Sequence, residues 1–307
     1  MSRKNPIRRT ALVATALTGA LVLAGCGGDD SSSGSGAASS STPLPSVSAD
    51  DALAARVPAA IKDDGTITVG SDTTYPPGEF IAEDGKTIIG FDVDLFTLVA
   101  KKLGLKAKFE TSPFDSLIAG VGSGKYEVGV SSFTVNAERL QQANMVSYFN
   151  VGTQWAAKKG NPAKVDPDNA CGKKIAVQKA TVQVDDLTAR SQKCTAAGKP
   201  EITIDQYDGQ DEATAATVSG KDDAGLADLP VMVYPVQKSN GQLEALGKPY
   251  GAAAYGYVVP KDDTEFAQVL ADAVKSLIDD GSYEKVLKQW GVEGGAITDP
   301  TVNPPAA

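Results

Sequence analysis

The chain of 307 residues contains no histidine. Without an imidazole it cannot form a Ser-His-Asp triad, a Cys-His nucleophile pair or a histidine-ligated metal site, and no metal or cofactor is expected. Cysteine is scarce, with three residues and no Cys-x-x-Cys spacing, so a thiol-redox site is not expected either. Beyond Asp30 the sequence has no run of about 18 apolar residues, which argues against a transmembrane helix.

Basic residues are the minority among the charged side chains, with 29 lysines and arginines against 38 aspartates and glutamates. Four of the cations and none of the acids precede Cys26. From Cys26 onward, 25 basic residues therefore face 38 acidic ones, and the net charge is −13. A surface this acidic argues against nucleic acid or anionic lipid as the main partner.

The N-terminus has the pattern of an export signal. Four cations within Ser2–Arg9 precede the mostly apolar run Ala11–Ala24, which is too short for a permanent membrane span. The segment Leu23–Cys26 resembles the lipobox of bacterial lipoproteins, in which the signal is removed before the cysteine and the cysteine is acylated. We therefore expect a signal peptide at residues 1–25 and a palmitate-type anchor on Cys26, at the outer face of the cytoplasmic membrane. The alternative is an ordinary signal peptide with an incidental cysteine.

The segment after the cysteine is predicted to be a flexible tether at residues 26–50, followed by a lead-in segment at 51–65. The tether consists mainly of Gly, Ser, Asp, Ala, Thr and Pro and has too little apolar surface to offset the entropy of ordering. Of the remaining cysteines, Cys171 and Cys194 form an even pair in an oxidising exterior and predict a disulfide bond. The alternative is two buried free thiols.

Strand and helix signals alternate along the rest of the chain. Strands are predicted at Thr66–Gly70, Lys106–Glu110, Glu127–Ser131, Lys174–Gln178, Glu201–Tyr207, Ala224–Ala227 and Tyr255–Val259. Helices are predicted from Asp92 to Gly104, from Asn136 onward, and at Phe114–Val121, Val182–Gln192, Asp211–Ser219, Leu229–Val236, Thr264–Ile278 and Tyr283–Trp290. This order predicts an α/β protein with parallel strands, whose ligands gather at the carboxyl ends of the strands.

Six short stretches carry a resemblance to a known family. They are Gly70–Pro77, Gly90–Leu95, Phe114–Ile118, Ser123–Tyr126, Asp280–Lys285 and Trp290–Val292. By their order and spacing, Thr66–Ala307 resembles the bacterial extracellular solute-binding proteins of family 3, which serve ABC importers of polar amino acids.

The resemblance implies a two-lobed, type II periplasmic-binding-protein-like fold with two hinge crossings and a ligand cleft between the lobes. One lobe would comprise residues 66–154 plus 256–297, the other residues 155–255, and residues 298–307 would form a C-terminal tail. The implied protein is a monomer and not an enzyme. It captures a polar amino acid or similar zwitterion and delivers it to the permease and ATPase subunits of the importer.

The resemblance also assigns the two charged groups of the ligand. Arg139 matches the arginine that grips the α-carboxylate, for which a planar guanidinium is suited. Asp228 matches the aspartate that pairs with the α-ammonium. The alternatives are a surface arginine paired with Glu138, and an aspartate that serves only as a helix N-cap.

The resemblance assigns the walls of the cleft to further residues. Ser132 and Thr134 match positions of pocket hydroxyls and amides, and Thr181 matches the N-terminus of a helix that binds the carboxylate.

Tyr75 and Phe114 match aromatic walls, with ordinary core residues as the alternative. Asp72 matches an acid near the ligand side chain, although it could instead cap a turn.

The chain departs from the family pattern where the side-chain pocket is expected. Gly78 replaces the usual aromatic residue after Pro77, Glu79 follows it, and Ala180 replaces a usual glycine. Asp72 and Glu79 together would suit a cationic or amide side chain.

Two other classes of function use the same fold. A dehydratase or lyase needs an acid or base in the cleft, for which Glu79 is the unassigned candidate. A ligand-sensing module would need membrane and signalling domains supplied by a partner.

Overall fold

The computed structural model of the protein describes residues 43–306, so the predicted signal peptide, Cys26 and most of the predicted tether lie outside the described residues. The strands are β1 (Thr66–Ser71), β2 (Thr74–Tyr75), β3 (Glu79–Ile81), β4 (Ile88–Ile89), β5 (Lys106–Thr111), β6 (Val128–Gly129), β7 (Ala143–Lys158), β8 (Lys174–Gln178), β9 (Thr203–Tyr207), β10 (Ala224–Asp228) and β11 (Leu243–Pro260). The helices are α1 (Asp51–Ala55), α2 (Ala59–Lys62), α3 (Phe91–Lys102), α4 (Phe114–Gly122), α5 (Ala137–Gln142), α6 (Val182–Ala196), α7 (Gln210–Ser219), α8 (Leu229–Lys238), α9 (Thr264–Asp279) and α10 (Ser282–Trp290), with a short 3₁₀ turn at Glu293–Gly295.

Eight strands form one mixed sheet in the order β5-β1-β6-β11-β7-β10-β8-β9. β5, β1 and β6 run parallel to one another, and so do β10, β8 and β9. We call the part of the chain around the first three strands the first lobe and the part around the second three the second lobe. The α/β alternation predicted from the sequence is confirmed, and each parallel group follows the strand–helix–strand order.

Two long antiparallel strands, β7 and β11, connect the lobes. The Ala143–Asn150 part of β7 pairs with Ala254–Pro260, and its Thr153–Lys158 part pairs with Leu243–Tyr250. The register shifts three times between Leu246 and Gly256, which is typical of β-bulges that bend a strand. The strands therefore act as the two crossings of a hinge.

Each lobe has its own hydrophobic core. In the first lobe, α3 and α9 pack their apolar faces against the sheet, and α10 packs against both helices. Along α9, Phe266, Val269, Leu270, Ala273 and Leu277 recur at helical spacing and are buried. In the second lobe, Trp155, Ile175, Leu187 and Leu226 belong to one buried cluster. Among residues 43–306, no helix combines the length and hydropathy that crossing a membrane requires.

The predicted disulfide bond between Cys171 and Cys194 is present, with Cα atoms 5.6 Å apart. It joins the turn before β8 to α6, and Cys194 is buried in the core of the second lobe. The bond therefore restrains the helix whose first turn lies at the cleft described below.

Replacing Cys171 and Cys194 by serine is expected to lower the free energy of unfolding by about 3 kcal/mol, because the unfolded chain regains the entropy of a loop of about 24 residues. Urea unfolding of the wild type and the double variant, followed by circular dichroism, measures the difference. Reduced wild type is the control, since reduction opens the same loop without changing the sequence. Equal unfolding energies in oxidised wild type and variant would show that the bond does not stabilise the fold.

Candidate ligand-binding site

One cavity lies where the carboxyl ends of strands from both lobes meet. β1, β6, β8 and β10 end beside it, and the N-terminus of α6 lies there too. Its volume of about 10 Å³ leaves room for roughly one water molecule. Its walls are formed by Asp72, Tyr75, Phe114, Ser131, Ser132, Thr134, Arg139, Gln178, Thr181, Val182, Gln183 and Asp228.

The eight residues predicted to bind the ligand are all in that wall. Sequence reasoning missed four others: Ser131, Gln178, Val182 and Gln183. Gln178 ends β8 and Gln183 lies in the first turn of α6, so their position at a junction between a strand and a helix was the available signal. The structure thus brings the predicted residues together, while their contact with a ligand stays a prediction.

Arg139 is buried, with 7% of its surface exposed. Its Nη1 donates to the Thr134 carbonyl at 2.7 Å and its Nη2 to the Ala180 carbonyl at 3.0 Å, so the guanidinium spans the two lobes. It also lies 5.3 Å from the centre of the Phe114 ring. The surface-arginine alternative is therefore wrong.

The charge of Arg139 has no carboxylate partner among the described residues. None of the ion pairs within 4.0 Å in residues 43–306 includes this arginine. Burial lowers the pKa of Arg139, and the more distant Asp228 partly offsets that effect. A buried cation that contacts only carbonyl groups and aromatic rings requires an anion for full compensation.

Asp228 is the complementary case on the second lobe. Its Oδ2 accepts hydrogen bonds from Tyr255 at 2.6 Å and Tyr75 at 2.9 Å, and its Oδ1 accepts one from Gln183 Nε2 at 2.7 Å. Burial raises the pKa of Asp228, and the three donors counteract that rise. Like Arg139, Asp228 has no ion-pair partner within 4.0 Å in the part of the chain that the structure describes.

The N-cap alternative for Asp228 fails in one respect. The residue occupies the N-cap position of α8, but its side chain makes no capping hydrogen bond. Its oxygens are directed to the two tyrosines and the glutamine instead.

Asp72 lines the cavity and also makes the turn contact of the alternative. Its Oδ1 accepts from the Thr74 amide at 3.1 Å, as in a capped turn, while its Oδ2 accepts from Gln178 Nε2 at 2.5 Å across the cleft. Burial raises the pKa of Asp72, and these donors oppose the rise.

The aromatic walls lie on the first lobe. The Phe114 ring stacks on Phe133 with centroids 4.8 Å apart, and the Tyr75 hydroxyl bonds Asp228 on the opposite lobe. Both residues line the cavity and also belong to buried apolar clusters. A place in the cavity wall and a place in the core are therefore compatible for each of them.

Contacts between the lobes close the cleft. Besides the Asp72–Gln178 and Arg139–Ala180 contacts, Thr74 Oγ1 accepts from the Gln210 amide at 3.0 Å, and Lys179 Nζ lies 3.0 Å from Asp115 Oδ2. The polar groups of the two lobes bond one another directly. A molecule larger than water can therefore enter this cavity only if the lobes separate about the hinge.

Ala180, which stands in place of the usual family glycine, has φ +60°. This left-handed conformation favours glycine, which explains the family preference, and costs an alanine about 1 kcal/mol. The backbone nevertheless adopts it and presents the Ala180 carbonyl to Arg139. The next residue, Thr181, is the N-cap of α6, and its hydroxyl donates to the Gln178 carbonyl at 2.8 Å.

A wider cavity of about 300 Å³ adjoins the first and shares Phe114, Arg139, Thr181 and Val182 with it. Its rim carries the acids Asp115, Glu138 and Asp185. Lys179 pairs with Asp115, whereas Glu138 and Asp185 act electrostatically on Arg139. The mouth of the cleft is therefore acidic around a buried cation.

Glu79 does not line either cavity. It is fully buried behind Ser131 and Ser132 and bonds their hydroxyl groups. The hypothesis that Asp72 and Glu79 together contact a ligand side chain is therefore wrong for Glu79 in this conformation. For the same reason, Glu79 is not placed to serve as a catalytic acid in the cleft.

Residues 67–293 match the model of a family described as bacterial extracellular solute-binding proteins, family 3. Among curated proteins, the arginine-binding protein ArgT of Corynebacterium glutamicum is 36% identical over 252 residues, which cover 82% of each chain.

Solved structures of similar fold include an ancestral arginine-binding protein. It is 32% identical, and its arginine complex covers 74% of this chain and 98% of its own, with a TM-score of 0.68. Its glutamine complex has a TM-score of 0.67 and covers 75% and 99%. An ancestral amino-acid-binding protein described as a precursor of cyclohexadienyl dehydratase is 27% identical, with a TM-score of 0.65 and coverage of 75% and 97%.

Proposed function

The chain belongs to the bacterial extracellular solute-binding proteins of family 3, and from this premise we propose that it is the lipid-anchored substrate-binding component of an ABC importer. Its ligand is a polar amino acid with a cationic or amide side chain. The anchor is the acylated Cys26, and the tether of residues 26–50 holds the two lobes near the permease. A single copy of the chain delivers the ligand to the permease and ATPase subunits.

One observation carries this proposal: a buried cation and a buried carboxylate line the same cavity, and neither has an ion-pair partner among residues 43–306. Arg139 comes from the first lobe and Asp228 from the second. The α-carboxylate of an amino acid compensates the guanidinium, and its α-ammonium compensates the aspartate. A zwitterion thereby supplies both missing charges at once and links the lobes.

The same groups provide the closing mechanism. In the closed conformation Arg139 bonds the Ala180 carbonyl and Asp72 bonds Gln178, both across the cleft. A ligand that replaces these direct bonds by stronger, charge-assisted ones shifts the population towards a closed, loaded form. We place the division between the lobes within β7 and β11, near residues 154 and 255, where the strand register changes.

The acids at the cleft favour cationic side chains over acidic ones. Asp72 lies in the cavity, and Glu138 and Asp185 lie at its mouth. The similarity to an arginine-binding protein and to an ancestral protein solved with arginine and with glutamine supports the same ligand class.

Isothermal titration of the purified residues 50–307 with arginine, lysine, glutamine and glutamate tests this proposal. We expect arginine or lysine to bind at least about 100-fold more tightly than glutamate, because a second carboxylate at an acidic cleft costs several kcal/mol. Glutamine is the uncharged control of similar length. A panel in which only glutamate binds would contradict the ligand class, and no binding to any of the four would contradict amino-acid transport.

A catalytic function has no comparable support among the described residues. The acid that the sequence nominated for it, Glu79, lies behind the cavity wall. The dehydratase-related structural neighbour is itself described as an amino-acid-binding protein.

A further inference from the structure

Two buried acids lie side by side behind the cleft. Glu79 on β3 and Asp92 on α3 both have no exposed surface, and one hydroxyl group lies between them: Ser132 Oγ is 3.2 Å from Glu79 Oε2 and 3.1 Å from Asp92 Oδ2. A hydroxyl group has a single proton to donate, so Ser132 Oγ can donate to only one of the two acids and must accept a hydrogen bond from the other. The pair therefore holds one proton between its members.

Glu79 and Asp92 form hydrogen bonds with the Ser131–Ser132 turn of the cleft wall. Ser131 donates to Glu79 Oε1 at 3.0 Å, and Ser132 Oγ lies 3.2 Å from Glu79 Oε2 and 3.1 Å from Asp92 Oδ2. The Ser132 amide also donates to Asp92 Oδ2 at 3.0 Å. Tyr148, on the hinge strand β7, donates to the same oxygen at 2.5 Å.

The turn needs this support because its backbone is strained. Ser132 has φ +48°, a left-handed conformation that is unfavourable for a residue with a side chain. Gly78 leaves the necessary space, since a Cβ atom there would lie 2.8 Å from Ser132 Oγ. The glycine in place of the usual aromatic residue thus lets the serine hydroxyl reach the acids.

The Ser131–Ser132 turn also orients the residues proposed to bind the ligand. Ser131 Oγ accepts from the Asp72 amide at 2.9 Å, and Thr134, two residues after Ser132, presents the carbonyl that holds Arg139. A shift of the turn would therefore displace both Asp72 and the guanidinium.

We propose that Glu79 and Asp92 are positioning residues that share one proton and, through the Ser131–Ser132 turn, fix Arg139 and Asp72 for ligand binding. Glu79 carries the proton and donates it to Ser132 Oγ, and the ionised Asp92 accepts from Ser132 and Tyr148. The inference rests on the proposed function for its binding readout, whereas its thermal-stability readout is independent of any ligand.

The surroundings of the pair are consistent with a retained proton. Burial first, and then the charge of Asp92, raises the pKa of Glu79 well above its ordinary value, and burial also raises the pKa of Asp92. The titratable groups that act on the pair are acids and phenols: Asp72, Tyr75, Tyr148, Tyr257 and Tyr283.

The sign of the pH dependence follows from these directions. A carboxyl group whose pKa is higher in the folded than in the unfolded chain stabilises the fold at low pH, and this contribution is lost as the pH rises through the folded-state pKa. Both thermal stability and ligand affinity should therefore decline on the alkaline side, where the pair loses its proton.

The test compares Glu79→Ala, Glu79→Gln and the wild type in a protein that contains both lobes and the predicted tether. Free arginine and free glutamine are the ligand probes. Alanine removes the bonds to both serines, so affinity at about pH 7 should fall at least about tenfold. In Glu79→Gln, the amide of the new side chain supplies an N–H in place of the shared proton, so this variant should recover wild-type affinity to within about threefold. Asp94→Asn is the matched control, because Asp94 lies on α3 like Asp92 but accepts a hydrogen bond from Trp290, away from the cleft.

The pH profile separates positioning from a merely structural role. Without ligand, the wild type should lose about 3 °C or more in Tm between about pH 6 and about pH 9 relative to Glu79→Gln, whose amide does not titrate. Over the same pH range, the affinity of the wild type for both probes should fall relative to that of Glu79→Gln. Comparing the two proteins at each pH removes the effect of the probes' own titration, which is the same for both.

Three results would overturn the proposal: unchanged affinity in Glu79→Ala, alkaline profiles that are identical in the wild type and Glu79→Gln, or a Glu79→Gln variant that loses arginine but keeps glutamine. The last would show that Glu79 contacts the ligand side chain directly. If the wild type binds neither probe, the proposed function fails, and the Tm profiles alone then support or overturn the shared proton.

Discussion

Arg139→Ala is expected to weaken amino-acid binding by about 2–5 kcal/mol, which corresponds to roughly 30-fold to several thousand-fold in Kd. The guanidinium is the buried cation of the cavity, and the ligand carboxylate would lose both its charge partner and two parallel N–H donors. Lysine at this position keeps the charge but not the planar fork, so Arg139→Lys should fall between the wild type and alanine. Isothermal titration with arginine measures all three.

The loss in Arg139→Ala should appear in binding more than in folding. The guanidinium bonds only carbonyl groups, and burial disfavours its charge in the protein without ligand. Thermal unfolding without ligand should therefore change much less than affinity.

Arg190→Ala is the matched control for this prediction. Arg190 is also partly buried and lies over the Trp155 and Tyr250 rings, but it pairs with Asp186 and does not line the cleft. Its replacement should leave Kd nearly unchanged. An unaltered Kd in Arg139→Ala, with a folded protein, would remove Arg139 from the binding site.

Asp228→Asn is expected to weaken binding by a similar amount, about 2–5 kcal/mol, because the ligand ammonium loses its buried counter-charge. The asparagine is close in shape, so the hydrogen bonds from Tyr75, Tyr255 and Gln183 rearrange rather than vanish. The variant therefore isolates the effect of the charge from the effect of packing.

The pH dependence gives a second readout of Asp228. Burial raises its pKa, so wild-type affinity should fall as the pH falls through that raised value and the carboxylate is protonated. Asp228→Asn should lack this acidic fall because its amide does not titrate. An acidic fall that is identical in the variant and the wild type would assign the titration to another group.

Asp222→Asn provides the control in the same lobe. Asp222 is equally buried and accepts from the Tyr207 hydroxyl at 2.6 Å, but Lys174 lies 3.3 Å from it. Because Asp222 already has a cation and does not line the cavity, its replacement should affect stability and not affinity. Equal affinities in Asp222→Asn and Asp228→Asn would contradict the assignment of Asp228 to the ammonium.

The elements that were predicted well are those with a local signature. The stripe of α9 follows the helical period, and the strand Thr66–Gly70 is a β-branched run that ends in glycine, so neighbouring residues alone indicate their structure. The site residues lie at the ends of such elements. The order of strands predicted that ligands gather at their carboxyl ends, whereas the choice of Arg139 and Asp228 came from the resemblance to the family; both residues line the same cavity.

Most of the two hinge strands had no such signature, and only the Tyr255–Val259 part of β11 was predicted as a strand. β7 is buried on nearly every residue and so shows no alternation of apolar and polar side chains, and β11 contains Gly247, Pro249 and Gly251, which interrupt a strand pattern. Each strand is held by its partner, from which it is separated by about a hundred residues. Their full length is therefore revealed only by the long-range pairing.

The sequence by itself determined the absence of histidine chemistry, the export pattern, the alternation of strands and helices, and the residue types available to the cleft, because these follow from composition and local spacing. Only the tertiary structure decided how the charges are compensated. Lys174 brings Asp222 a cation, Arg139 and Asp228 have none within ion-pair distance in the described chain, and Glu79 faces Asp92 rather than the cavity. Electrostatic compensation depends on distance and burial, and neither quantity exists until the chain has folded.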